Sequence, residues 1–168
     1  MKETYKETWT FDEMLAYHIE ETGKWKGFFT GNAAALDLAA DIAGGKTVRQ
    51  VLLHITFVEL RYAEGVNGMT ISPIPDREKA YTVEELYAFS DSATQLFQKA
   101  LASHDEAAWR VTDDFSRYRP GFMVSRRKMF LQAMTHSMRH YAQLATYLRQ
   151  AGHKTDWMHD LLVSMTLE

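Results

Sequence analysis

The chain has 168 residues, 46% of them hydrophobic and 24% charged, with a formal net charge of −3. That balance fits one soluble globular domain, residues 1–168, with room for a core, and it argues against a non-specific grip on nucleic acid, which needs a basic face. There is no cysteine, which excludes disulfides, cysteine zinc sites and a cysteine nucleophile; any metal must be held by His, Asp or Glu.

The N-terminal stretch MKETYKETWTFDE is polar and acidic and has no signal-peptide core. No apolar run approaches the ~18 residues of a membrane span. A cytoplasmic location and no membrane partner are the expectation. Thr10 followed by Glu13 has the form of a capping box. Behind it Phe11, Met14, Leu15, His18, Thr22, Trp25 and Phe29 share one helical face, which predicts a first helix to about Thr30. Gly31-Asn32 breaks it. The alanine-rich Ala33 to Ile42 predicts a short extra helix, and Gly44-Gly45 a turn.

Thr47 to Gln50 reads as a second capping box, opening a helix to about Gly65 with the stripe Val48, Val51, Ile55, Val58, Tyr62 and Val66. His54 sits on the edge of that stripe. Asn67 to Lys79, with Gly68, Pro73 and Pro75, reads as a loop. Thr82 to Glu85 is a third box, and Leu86, Phe89, Ala93, Leu96, Phe97 and Ala100 carry a third helix to about Ala102. Ser103 to Val124 is irregular, with a helical turn near Asp105–Trp109 and a turn at Arg117 to Gly121.

Ser125 to Gly152 is the longest amphipathic stretch. Ser125 can cap its start, and Gly152 can take the left-handed conformation that ends it. Its apolar stripe is Phe130, Ala133, Met134, Ser137, Tyr141, Leu144, Ala145 and Leu148. Asp156 to Met165 predicts a short terminal helix. Four long helices without convincing alternating strands predict an all-α four-helix bundle, with long connections after the first and third helices.

His136 and His140 lie four residues apart in the last long helix. They are therefore about 40° apart around its axis and roughly 6 Å apart along it, so two imidazoles there can share one ion. His54 occupies the matching margin of the second helix. Three such ligands leave coordination positions open on Zn²⁺, Ni²⁺ or a similar divalent ion. On spacing alone, core-edge histidines and metal ligands are equally good readings.

Two blocks carry a family resemblance. Val48-Arg49-Gln50-Val51-Leu52-Leu53-His54 and His136-Ser137-Met138-Arg139-His140-Tyr141-Ala142-Gln143 resemble the second and last helices of the DinB/YfiT-like family. Relatives commonly carry Arg-Gly after the last histidine, where this chain has Tyr141-Ala142. The resemblance implies a four-helix bundle, a divalent metal on His54, His136 and His140, and a homodimer. It implies a small-molecule substrate but no single reaction. Relatives act as bacillithiol- or mycothiol-dependent transferases, as a mycothiol-dependent isomerase or as hydrolases. A metal-dependent transferase or hydrolase, with a low-molecular-weight thiol as cosubstrate, is the first reading; a non-enzymatic small-molecule- or metal-binding bundle is the alternative. No catalytic residue is assigned.

His18, on the inward face of the first helix, and Gln143, one turn beyond His140, are pocket candidates. Each has a plainer reading, as a hydrogen-bonded core histidine and a polar surface residue. Each metal-bound ring is expected to anchor its second nitrogen on a carbonyl, Gln or carboxylate. Glu59 reads as solvated or paired with Arg49 or Arg61, with a catalytic base as the lesser alternative. Arg117, Arg119, Arg126 and Arg127 read as a solvated cationic face or, less simply, an anion-binding rim. Met69, Met123, Met129, Met134 and Met138 read as core filler.

Overall fold

The computed structural model describes residues 9–115 and 120–166. Arg117 and Arg119 therefore lie outside the described residues. Four long helices dominate: α1 (Phe11–Gly31), α2 (Val48–Val66), α3 (Val83–Ser103) and α5 (Arg126–Gln150), with a one-turn α4 (Glu106–Arg110) before the last. No helix among the described residues is long and apolar enough to cross a membrane.

The helix starts follow the sequence signals. Thr10 accepts from the Glu13 backbone N–H while Glu13 accepts from the Thr10 N–H, and Thr82 and Glu85 repeat this. The second box is incomplete. Thr47 accepts from the Gln50 N–H, but the Gln50 side chain accepts from the Lys46 N–H instead and reaches the carbonyl of Arg77. Ser125 caps α5 through the Lys128 N–H. At its other end Gly152 has φ +88°, and the His153 N–H returns to the Leu148 carbonyl. A Cβ is disfavoured at that φ, which is why glycine ends the helix there.

Three predicted elements come out differently. Ala33 to Ile42 is a 3₁₀ turn at Ala33–Asp37 followed by strand β1 (Ala39–Ile42), paired antiparallel with β2 (Gly45–Thr47). Ala43 (φ 52°) and Gly44 (φ 71°) make the hairpin, and a left-handed pair of that kind favours strand pairing over continued helix. A second ribbon, β3 (Thr112–Asp114) with β4 (Met123–Ser125), lies in the irregular stretch. The C-terminal segment forms only a 3₁₀ turn at Leu161–Val163. Its backbone is held by side chains, among them Glu20, which accepts from the Met165 N–H and the Ser164 hydroxyl.

The core fixes the direction of each helix. One apolar cluster gathers Trp25 and Phe29 of α1, Val51 and Ile55 of α2, Leu86 and Tyr87 of α3, and Tyr141 and Leu144 of α5. The other gathers Leu15, Ala63, Phe97 and Phe130 from the same four helices. Along the chain, α1 and α5 run from the second cluster to the first, and α2 and α3 from the first to the second. Adjacent parallel helices cannot be joined by a short turn, so the 67–82 connection must run back along α2. It does so: Ser72 bonds Glu64 near the end of α2, and the Arg77 and Tyr81 carbonyls accept from Gln50 and Arg49 at its start. The connection that the topology requires to be long is thus the one after the second helix.

Between the two clusters lies one polar layer. Glu59 of α2 is 1% exposed. It accepts from Ser90 of α3 at 2.6 Å and from Ser137 of α5, and His18 Nε2 of α1 stands 3.2 Å from it. One carboxylate therefore links α2 to the other three long helices. This corrects the reading of Glu59 as solvated or paired with Arg49 or Arg61. A buried carboxylate without partners is costly, and three side chains here supply them.

Candidate metal centre

α2 and α5 pack side by side, and their shared margin carries the three histidines. His54 is half-buried, while His136 and His140 are buried. The Nε2 atoms of His54 and His136 are 3.0 Å apart, and one nitrogen from each of the three rings lies within 4.8 Å of the other two. Ring centroids stand 4.9, 5.1 and 4.4 Å apart. Two nitrogens held about 2.0–2.1 Å from one ion are separated by roughly 2.9 Å at a right angle and about 3.4 Å in a tetrahedron. The His54–His136 pair already has that spacing.

The electrostatics suit ligation. Burial, then the charges of His140, Arg77 and Arg139, push the His54 pKa down to about 4. Burial, then His140, His54 and Arg139, push His136 down to about 3. His140 is lowered by burial, partly offset by its bond to Gln143. All three rings are neutral at pH 7, so their lone pairs are available, as a metal requires.

Gln143 Oε1 accepts from His140 Nδ1 at 2.7 Å, which turns Nε2 of that ring toward the other two. His136 lacks such an anchor: its Nδ1 is buried with no partner among the described residues. His18 sits in the polar layer, 4% exposed, against Glu59 and with Thr22 Oγ1 at 3.5 Å. The layer and the centre are joined through the chain, since Ser137, which bonds Glu59, follows His136. Arg126 is 3.5 Å from Asp113 on β3, so part of the predicted cationic cluster is paired. Of the five methionines read as core filler, Met129 and Met134 are core, whereas Met69 and Met123 are exposed.

Two arginines that the sequence does not single out, Arg77 and Arg139, add to the downward shift of His54. The local signal for Arg139 is its place three residues after His136 and one before His140. For Arg77 no local signal exists, because only the crossover brings it to α2.

Among curated proteins no sequence matches this chain. The family model described as the DinB family matches residues 5–166, nearly the whole chain, and includes both helices that carry the histidines. The chain belongs to the DinB family.

Proposed function

We propose that the four long helices form a DinB-type four-helix bundle whose His54, His136 and His140 hold one divalent ion, and that the protein is a metal-dependent enzyme acting on a small molecule. The observation that carries this reading is the convergence of three neutral imidazoles from α2 and α5, two of them 3.0 Å apart through Nε2. A bound ion would supply Lewis acidity, lowering the pKa of a water or thiol that it binds.

The protein's own residues do the rest. Three ring ligands leave coordination positions free, and half-buried His54 marks the side from which a substrate enters. Gln143 fixes the tautomer of His140. Burial keeps all three rings unprotonated. The reaction is then transfer with a low-molecular-weight thiol or hydrolysis. A homodimer and a cytoplasmic location belong to the same reading.

The deciding experiment compares turnover of a panel of thiols with electrophiles, and of esters and amides, by metal-loaded and chelated protein, with His136→Ala as control. Metal-dependent turnover lost in that variant is expected. Tight retention of a small molecule with no turnover on any substrate would favour the non-enzymatic binding bundle instead.

A further inference from the structure

We propose that the cavity between the β3–β4 ribbon and the seam of α2 and α5 binds a small aromatic anion. Such a ligand sits beside the three-histidine centre, whether or not that centre holds an ion. The cavity has a volume of about 220 Å³. Tyr62 of α2, Phe115, Phe122 and Val124 of the ribbon, and Met129 of α5 make its walls, and Lys128 and Gln132 of α5 add polar groups. The ribbon explains the wall. The Phe115 N–H donates to the Phe122 carbonyl at 2.7 Å, one pair beyond Asp114 and Met123. Side chains alternate along a strand, so Phe122 and Val124 leave the same face and Phe115 joins them from across the pair. Met129 in turn lies against Gly65 of α2, where a Cβ would stand 2.8 Å from its Sδ.

Size, lining and charge select the ligand. An apolar cavity of ~150 Å³ holds benzene, so this one has room for a single ring with a small substituent. Three of its walls are aromatic, and two of them, Tyr62 and Phe115, lie parallel to within 5° with centroids 6.3 Å apart. Aromatic walls favour a further ring over an aliphatic group of the same size, through stacked or edge contacts. The charge comes from α5. The Lys128 ammonium stands 5.6 Å from the centroid of the Phe122 ring and pairs with no carboxylate among the described residues. Nearby Asp113 is engaged by Arg126. α5 as a whole carries five cationic residues and no acidic one. An anionic substituent on the bound ring is therefore stabilised by Lys128. Gln132 precedes His136 by one turn, about 6 Å along the helix, which puts the ligand next to the histidine centre.

The test titrates full-length protein, its methionine methyl groups isotope-labelled for NMR, with benzoate and with benzyl alcohol, its neutral counterpart, at low salt. Met129 and Met134 are buried in the same apolar cluster, but of the two only Met129 lines the cavity. The Met129 methyl resonance, identified with Met129→Leu, should shift saturably with benzoate, and that of Met134 should move far less. Benzoate should bind about threefold more tightly than the alcohol, the scale of an exposed ion pair. Lys128→Gln should remove that preference. Arg149→Gln, about 30 Å further along α5, should keep it. Both side chains are exposed, so neither substitution threatens the fold. Metal-loaded and chelated protein should respond alike. No binding, or binding that leaves Met129 unmoved, would overturn the proposal. So would equal affinity for the two compounds, a preference that survives Lys128→Gln, or one lost equally in Arg149→Gln. A Met129 shift that vanishes with the chelator would also overturn it, by putting benzoate on the ion. Metal content measured on the same samples bears only on the three histidines, so failure of the metal reading and failure of this site are told apart.

Discussion

The Nε2 atoms of His54 and His136 stand 3.0 Å apart although 82 residues separate them in the chain. Two neutral rings at that distance either share a proton in a hydrogen bond or turn two lone pairs toward one ion. Single substitutions separate these cases. Wild-type protein is expected to carry about one divalent ion per chain, and His54→Ala, His136→Ala and His140→Ala should each lose most of it. Their far-ultraviolet circular dichroism should stay helical, because the apolar clusters are built from other residues. Metal analysis of the four proteins checks this, and equal metal content in all four would sink the assignment.

Gln143 offers a quieter probe. It bonds the outer nitrogen of His140 from an exposed position, so its loss leaves the core alone. Gln143→Ala should weaken metal binding by roughly 10–100-fold, the usual effect of removing a group that orients a ligand. The thermal midpoint of the metal-free protein should barely move. Competition against a chelator of known affinity measures the first quantity and a melting curve the second.

Protons should destabilise the metal-free fold over a defined window. His54 and His136 are pushed down to about 4 and about 3 in the folded chain, against ~6.5 for an unfolded histidine. Between those values the unfolded chain binds more protons, so stability rises with pH. It should be fully present above about pH 6.5 and decline as the pH falls toward 4. Urea midpoints measured across this range in the presence of chelator should show that slope. His54→Gln and His136→Gln should each flatten it; a slope unchanged in both would mean that these rings are not held neutral by burial.

Glu59 should matter more to stability than any exposed charge. Glu59→Ala leaves His18, Ser90 and Ser137 without their shared acceptor between the four long helices. Breaking a buried polar set of this kind costs about 3–5 kcal/mol. Glu59→Gln, which keeps the size and one acceptor, should cost less. Urea denaturation supplies both values, and a double-mutant cycle with His18→Phe should show coupling, since the two residues touch. A loss below ~1 kcal/mol for Glu59→Ala would show that solvent reaches the layer.

Local signals and tertiary structure divide the account of this protein between them. The helix starts at Thr10, Thr82 and Ser125, the stop at Gly152 and the pairing of His136 with His140 were legible in the sequence, because each depends on residues within one or two turns of each other. The family blocks added His54. What stayed hidden was everything decided by distant residues meeting. The hairpin after α1 overrode alanine's helical preference. Glu59 reads locally as a surface carboxylate, and only the convergence of α1, α3 and α5 buries it and gives it partners. The parallel run of α2 and α3 turned a nondescript proline-containing stretch into a crossover, and so placed Arg77 beside α2. Short-range hydrogen bonding and side-chain periodicity are properties of a segment. Burial, the partners of a charge and the field at an imidazole belong to the packed chain, and they come into being only when the helices close on one another.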